Sequence, residues 1–217
     1  MANYKSGLLN REKTIAVCKD LFFQKGYRET AFGEICKRTG LHPGSISYHF
    51  KGKAHIAQFI YAEMMEDYQQ QLKQLFPEED DLTQLILGIC VHVKLMHTNP
   101  SYRRFSCQFT TDCASEILED QYKSFSPMVY NFLQNNVEPE KHEFFLTASV
   151  GFDTSINIYI SRHTENEYFI SNVKYACELY LYILEKEMLS RELDRALRLM
   201  EKLDIGCDNF KIQLALT

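Results

Sequence analysis

Within nine residues, Ser45 to Lys53, the chain sets two serines, a tyrosine, a histidine and two lysines around Ile46 and Phe50, which stand four apart. Hydroxyl, phenol and imidazole groups on one short segment can read the hydrogen-bonding edges of bases, and lysines can neutralise phosphates. The same residue types serve in catalysis, but here the spacing is wrong for it. Gly44-Ser45 lacks the glycine two residues upstream that a nucleophile elbow requires. Gly52-Lys53 has Ser47 where a nucleotide-binding loop needs its first glycine, and His142-Glu143 opens a zinc-protease signature that fails at Leu146. No dinucleotide fingerprint occurs. His92 and His97, five apart, do not share a helical face and have no third ligand nearby, so no metal, no cofactor and no enzymatic activity are expected.

The elements that must hold this segment are helical. Ile15, Cys18 and Phe22, with Leu21 and Phe23 beside them, form a helical stripe that stops at Gly26. Thr30 reads as the N-cap of a second, short helix carrying Phe32, Ile35 and Cys36, which Gly40 ends. Leu41-His42-Pro43-Gly44 turns the chain into a third short helix, Ser45 to Phe50, whose Ile46 and Phe50 pack inward. Gly52 caps a longer helix with one face of Ala57, Ile60, Met64, Tyr68, Leu72 and Leu75, broken by Pro77. Helix, glycine turn, short helix, glycine turn, short helix is the tri-helical arrangement whose third helix enters a major groove. The second helix offers its N-terminus and the Thr30 hydroxyl to a phosphate, and Lys51 and Lys53 lie close enough to reach the DNA backbone. The alternatives are packing of Tyr48 and His49 against the first helix, and a solvated Lys53.

Residues 22–56, FFQKGYRETAFGEICKRTGLHPGSISYHFKGKAHI, resemble the DNA-binding domain of the tetracycline-repressor (TetR) family of bacterial regulators. The matching pieces are Gly26-Tyr27 with Thr30, Glu34-Ile35-Cys36, Gly40-Leu41 and the run Gly44 to Lys53. Ser47 replaces an aromatic common in the family, and Ala54-His55 stands where an acidic residue usually follows the lysine. The resemblance implies that His42, Gly44, Ser45, Ser47 and His49 face the bases or the groove, and that Thr30, Tyr48 and Lys53 anchor phosphates. It covers about the first quarter of the chain. The rest agrees with the family's ligand-binding and dimerising part in length and helical class.

Beyond Pro77, helices are expected at Asp80 to Thr98, from Asn99-Pro100, at Met128 to Asn135 behind Ser126-Pro127 (which either opens that helix or kinks one begun near Ser115), at His142 to Arg162, at Glu165 to Glu187 and at Glu192 to Leu203, the last ended by Gly206. No strand pattern stands out, so the fold class is all-α: a tri-helical helix-turn-helix domain at 1–53, a connecting helix at 54–76, and a ligand-binding and dimerisation domain at 77–217. The helices from His142 and Glu165 are apolar on most sides. Either a second subunit covers them, giving a homodimer with a four-helix interface, or they are central helices of the monomer.

The resemblance further implies an effector cavity within these middle helices. Its candidate lining residues are Cys90, His92, Met96, Tyr102, Phe105, Phe109, Tyr122, Phe125, Tyr130, Phe152 and Tyr159; the plainer reading is that most simply fill the core. Buried polar groups point better, because they need partners. His92 lies inside an apolar helix, and Asp153 and Asn157 share a face of another. They serve a ligand, an internal hydrogen-bond network, or polar pairing across a dimer seam. Arg103-Arg104 reads as an anion-steering pair or a solvated face, and Cys107 and Cys113 lack an evident thiolate-stabilising setting.

Composition bounds the rest. The chain has 217 residues, 45% hydrophobic and 24% charged, an ordinary globular mixture. Seven scattered cysteines, with no Cys-x-x-Cys pair, suit a reducing compartment, and Leu85 to Val93 is half a membrane span. Cytoplasmic location and no membrane association are expected. Residues 1–53 hold ten Lys/Arg against four Asp/Glu, a net of +6, whereas the remainder nets −11. A basic head on an acidic body suits a protein whose head alone meets a polyanion. The resulting expectation is a transcriptional regulator, a repressor whose homodimer binds a palindromic operator in double-stranded DNA and is released by a small-molecule effector. The alternatives are an architectural or partner-regulated DNA-binding protein without a small ligand, and a helical interaction module whose head no longer binds DNA.

Overall fold

The computed structural model describes residues 2–114, 127–183 and 190–217. It is a helical protein finished by a β-hairpin. The first three helices are α1 (Ala2–Lys25), α2 (Phe32–Thr39) and α3 (Pro43–Ser47). Gly26 at φ 96° and Gly40 at φ 67° turn the chain between them, in the left-handed region that glycine enters without a Cβ clash. Their shared core is Cys18, Leu21, Phe22, Ile35, Ile46 and Phe50, all buried. The inward packing expected of Ile46 and Phe50 is what the fold shows.

Helix α4 (Lys53–Leu75) starts at Gly52 and leads into the body. There follow α5 (Asp81–Thr98), α6 (Pro100–Asp112), α7 (Pro127–Asn136), α8 (Pro139–Ser161), α9 (Phe169–Ile183, after a 3-10 turn at Asn166–Tyr168) and α10 (Ser190–Met200). Capping explains several boundaries. The Asp80 side chain accepts from the Thr83 amide, the Asn99 side chain accepts from the Tyr102 amide, and prolines open α6 and α8 at their first turns. Helix α5 is the central pillar: most of Thr83 to Met96 is buried, because α4, α6, α7, α8, α9 and α10 all pack against it.

Two local expectations are corrected. The N-cap of α2 is Ala31, not Thr30; Thr30 is fully buried and its hydroxyl donates to the Gly26 carbonyl at 2.8 Å. The last helix stops at Met200, and the chain then forms an antiparallel hairpin, β1 (Leu203–Asp208) and β2 (Lys211–Leu216), where helix and tail had been expected. Leu203, Ile205 and Cys207 alternate with polar residues and pair across to Leu216, Leu214 and Ile212. The turn residues Asn209 and Phe210 both have positive φ, as tight hairpin turns require. Phe210 is a costly choice there, and its packing compensates: its buried ring lies 4.5 Å from Phe105 and 5.3 Å from Phe23. Gln71 of α4 ties the hairpin down, donating to the Ile212 carbonyl and accepting from the Leu214 amide.

Candidate functional site: a nucleic-acid interface and an inner cavity

Helix α3 lies over the buried Ile46 and turns its polar residues outward. The His42 ring caps it, accepting from the Gly44 amide at 3.3 Å. His42, Gly44 and Ser47 are exposed, Ser45 and His49 are half-buried, and Tyr48 is 84% exposed, its ring 4.9 Å from that of His49. Tyr48 therefore does not pack on the first helix. A five-residue helix with an apolar underside and this upper face has the size and chemistry to enter a major groove.

The expected phosphate anchors separate. Lys51 is exposed. Lys53 is half-buried: its ammonium donates to the Tyr27 carbonyl at 2.8 Å and the Thr30 carbonyl at 2.9 Å, and sits 4.1 Å over the Tyr27 ring. This ammonium is neither solvated nor turned wholly to the outside; it staples α4 to the α1–α2 turn. Burial pushes its pKa down. With its hydroxyl buried and donated inward, Thr30 cannot be a side-chain phosphate contact, and its role is to fix that same turn.

The head joins the body through α6. Arg28 meets Asp112 in a two-pronged pair, at 2.7 and 2.6 Å. Arg104 donates to the Phe23 and Gln24 carbonyls at the end of α1, and Gln108 accepts from the Arg28 amide. At Gly26 a Cβ would lie 2.7 Å from Gln108 Oε1, so a side chain there would push the Gln108 and Arg104 side chains aside. Beneath these polar ties, Phe105 stacks on Phe22 at 5.6 Å. Sequence reasoning placed Arg103-Arg104 as solvated or anion-steering residues; Arg103 instead donates to the Met96 and His97 carbonyls, and both arginines are structural clamps.

A narrow cavity of about 30 Å³ lies on the other side of α6, among α4, α5, α7, α8 and α9. Of the expected lining residues, His92 and Asp153 face it. Met96, Tyr102, Phe105 and Phe109 are fully buried and pack elsewhere in the core, and Asn157 stands behind His92. Tyr122 and Phe125 lie outside the described residues. Sequence reasoning missed Tyr61, Met65 and Tyr68 of α4 and Tyr180 of α9, because their helical stripes look like any core face.

The cavity's polar groups are ordered. The Tyr102 hydroxyl lies 2.7 Å from His92 Nδ1, and Asn157 Oδ1 lies 2.8 Å from His92 Nε2. An amide oxygen only accepts, so Nε2 carries the proton and Nδ1 accepts from Tyr102. Burial pushes the His92 pKa down, against the bond to Asn157. Asp153 accepts from the Tyr180 hydroxyl, and burial raises its pKa to about 8.

A basic three-helix head with an outward-facing third helix, fixed to a helical body that encloses a cavity, defines a helix-turn-helix regulator. Comparison with known proteins agrees. Residues 15–58 match the family described as bacterial regulatory proteins, tetR family. The chain is 27% identical over 143 residues to a probable HTH-type transcriptional regulator, YttP, of Bacillus subtilis strain 168, covering 63% of this chain and 68% of YttP. It is 39% identical to the HTH-type transcriptional regulator QacR of Staphylococcus aureus, but over 46 residues only, 21% of this chain and 24% of QacR. Its fold matches the crystal structure of RolR in complex with resorcinol at a TM-score of 0.60 and 12% identity, over 90% of this chain and 96% of that one. The chain is a DNA-binding transcriptional regulator whose head, residues 15–58, matches the tetR family. Among the described residues, no helix is long and apolar enough to cross a membrane.

Proposed function

We propose that the protein is a cytoplasmic repressor whose homodimer binds a palindromic operator and leaves it when a small molecule fills the inner cavity. Residues 1–53 act as the DNA-binding domain, 54–76 as the connecting helix, and 77–217 as the effector and dimerisation domain. His42, Gly44, Ser45, Ser47 and His49 face the groove, while Tyr48 and Lys51 reach phosphates; the ammonium of Lys53 holds the turn behind them. A two-fold dimer sets half-sites about 34–36 Å apart, or a multiple of that.

The observation that carries this reading is the position of α6. Its Tyr102 bonds to His92 on the cavity wall, its Phe105 stacks on the head, and its Arg104, Gln108 and Asp112 grip the end of α1 and the turn after it. A ligand that widens so narrow a cavity must displace groups tied to α6, and α6 cannot move without the head. Such a ligand favours the arrangement of heads that binds DNA less well. That RolR was crystallised with resorcinol supports an effector role for a cavity in this fold. The dimer reading draws on Phe144, Tyr159, Ile170, Tyr175 and Tyr182, large apolar or aromatic residues of α8 and α9 that this single chain leaves exposed.

Selection of bound fragments from the host genome by the purified protein, at two salt concentrations, tests the regulator reading. Enrichment of a palindrome that persists at the higher salt is expected. Binding without sequence preference, lost as salt rises, leaves only the electrostatic contribution and overturns it.

A further inference from the structure

We propose that the cavity binds a monocationic ligand with an apolar body, an amine or quaternary ammonium, with Asp153 as its counter-charge and tyrosine rings as its walls. This deepens the effector reading above and rests on it.

Asp153 is a carboxyl inside a mainly aromatic and aliphatic pocket, a place where an apolar residue of similar size would be less costly. Its one hydrogen bond among the described residues comes from the neutral hydroxyl of Tyr180. Among the described residues, no lysine or arginine pairs with it. His92, the other ionisable group of the wall apart from the tyrosines, cannot supply the missing charge. One of its nitrogens accepts from Tyr102 and the other donates to Asn157, and a second ring proton would face the Tyr102 hydroxyl in place of that bond. Among the described residues, the pocket therefore has one latent negative charge and no internal cation. Tyr61, Tyr68 and Tyr180 surround it. Aromatic rings around a carboxylate suit an ammonium group, which gains from ring quadrupoles without needing hydrogen bonds. A neutral ligand leaves the carboxyl protonated and gains no charge pairing from it, and an anion gains none in either protonation state.

Proton linkage follows the same geometry. The groups facing Asp153 are Tyr180 of α9, Tyr61 and Tyr68 of α4 and His92 of α5, while α7 and α8 offer Val129 and Ile156. With the carboxyl at about 8 in the free protein, a cation must displace its proton at neutral pH. Affinity for the cation therefore rises, by up to about tenfold per pH unit between 6.5 and 7.5, and levels off above 8.

The test is calorimetric titration of the full-length protein with tetramethylammonium, choline and benzyltrimethylammonium, against 3,3-dimethylbutan-1-ol, the neutral isostere of choline. At least one cation is expected to bind, choline at least tenfold more tightly than its neutral isostere. Asp153→Asn, which keeps the acceptor for Tyr180 and is checked for folding by circular dichroism, should lose that preference and the pH dependence. Equal binding by the variant, or no saturation by any cation up to about 10 mM, overturns the proposal. Operator release by phenol or resorcinol, measured alongside, separates the two readings. Release by these neutral molecules with no binding of cations removes the cation proposal and leaves the effector reading standing. Operator binding that responds to none of them removes both.

Discussion

The head and the cavity place polar chemistry on opposite sides of an apolar layer. In the head, Ile46 and Phe50 go inward and the polar residues of α3 go outward, Tyr48 almost completely. Around the cavity, His92 and Asp153 point inward from helices whose surroundings are apolar, with Tyr102 and Asn157 holding His92 from behind. A surface that meets DNA keeps its donors hydrated until phosphates and bases replace water, so it needs no internal partners. An inner site must satisfy its polar groups itself or wait for a ligand to do so. The head is thus a finished surface and the cavity an unfinished one. Helix α6 links the two, bonding through Tyr102 to His92 of the cavity wall and packing on the head.

The largest effect that can break this contrast lies at the junction. Phe105→Ala removes a ring packed on Phe22, Phe109 and Phe210, and should destabilise the protein by about 3–5 kcal/mol in a denaturant titration, with head and body unfolding together. A small loss, or a head that melts separately, would mean that α6 does not couple the two regions. Next in size, Tyr48→Ala should leave the melting temperature unchanged yet weaken operator binding by about 1–3 kcal/mol, read by fluorescence anisotropy. A lowered melting temperature would show that the ring supports the fold.

Lys53→Met sharpens the same boundary. Two carbonyls, of Tyr27 and Thr30, lose their donor, so stability should fall by about 1–2 kcal/mol. A salt slope of DNA binding lowered by about one would add a phosphate contact to that structural role; an unchanged slope leaves the staple alone.

On the cavity side, Asp153 has a folded-state pKa of about 8, above its unfolded value. The folded protein therefore holds a proton that the unfolded chain has released, and stability falls as pH rises toward 8. Below pH 6.5, His92 works oppositely, because its pKa is lowered on folding and the unfolded chain takes up a proton first. Between pH 6.5 and 7.5 the wild type should lose on the order of 1 kcal/mol per pH unit relative to Asp153→Asn. Parallel denaturation curves across that range would show Asp153 to be solvated. The smallest effect is expected for Asp112→Asn: its pair with Arg28 is solvent-facing, so stability should change by less than about 1 kcal/mol. A larger change would make that pair part of the coupling between head and body.

Legibility follows the same division. The head could be read because local signals agree: glycines at both turns, apolar residues at helical spacing, and polar residues left over on one short face. The Thr30 cap failed since its hydroxyl reaches back to Gly26 rather than forward into α2, a choice made by the packing of the turn. The hairpin was missed although Leu203, Ile205, Cys207, Ile212, Leu214 and Leu216 alternate as strands do. Asn209-Phe210 is a weak turn signal, and Phe210 tolerates its backbone only because Phe105 and Phe23 receive its ring. For the cavity, His92 and Asp153 stood out as polar residues in apolar helices. Tyr61, Tyr68 and Tyr180 did not, because a tyrosine that lines a pocket and one that fills a core occupy the same helical positions.

By itself the sequence determined the helical class, the helix-turn-helix head with its outward residues, and the charge contrast between head and body. These depend on contacts a few residues apart, which spacing records directly. Tertiary structure alone decided that Lys53 turns inward, that Arg104, Gln108 and Asp112 clamp the head, and that three helices bring a carboxyl and three tyrosines around one cavity. Those groups lie up to about 120 residues apart, and only the packing of helices against α5 and α6 brings them within reach of one another.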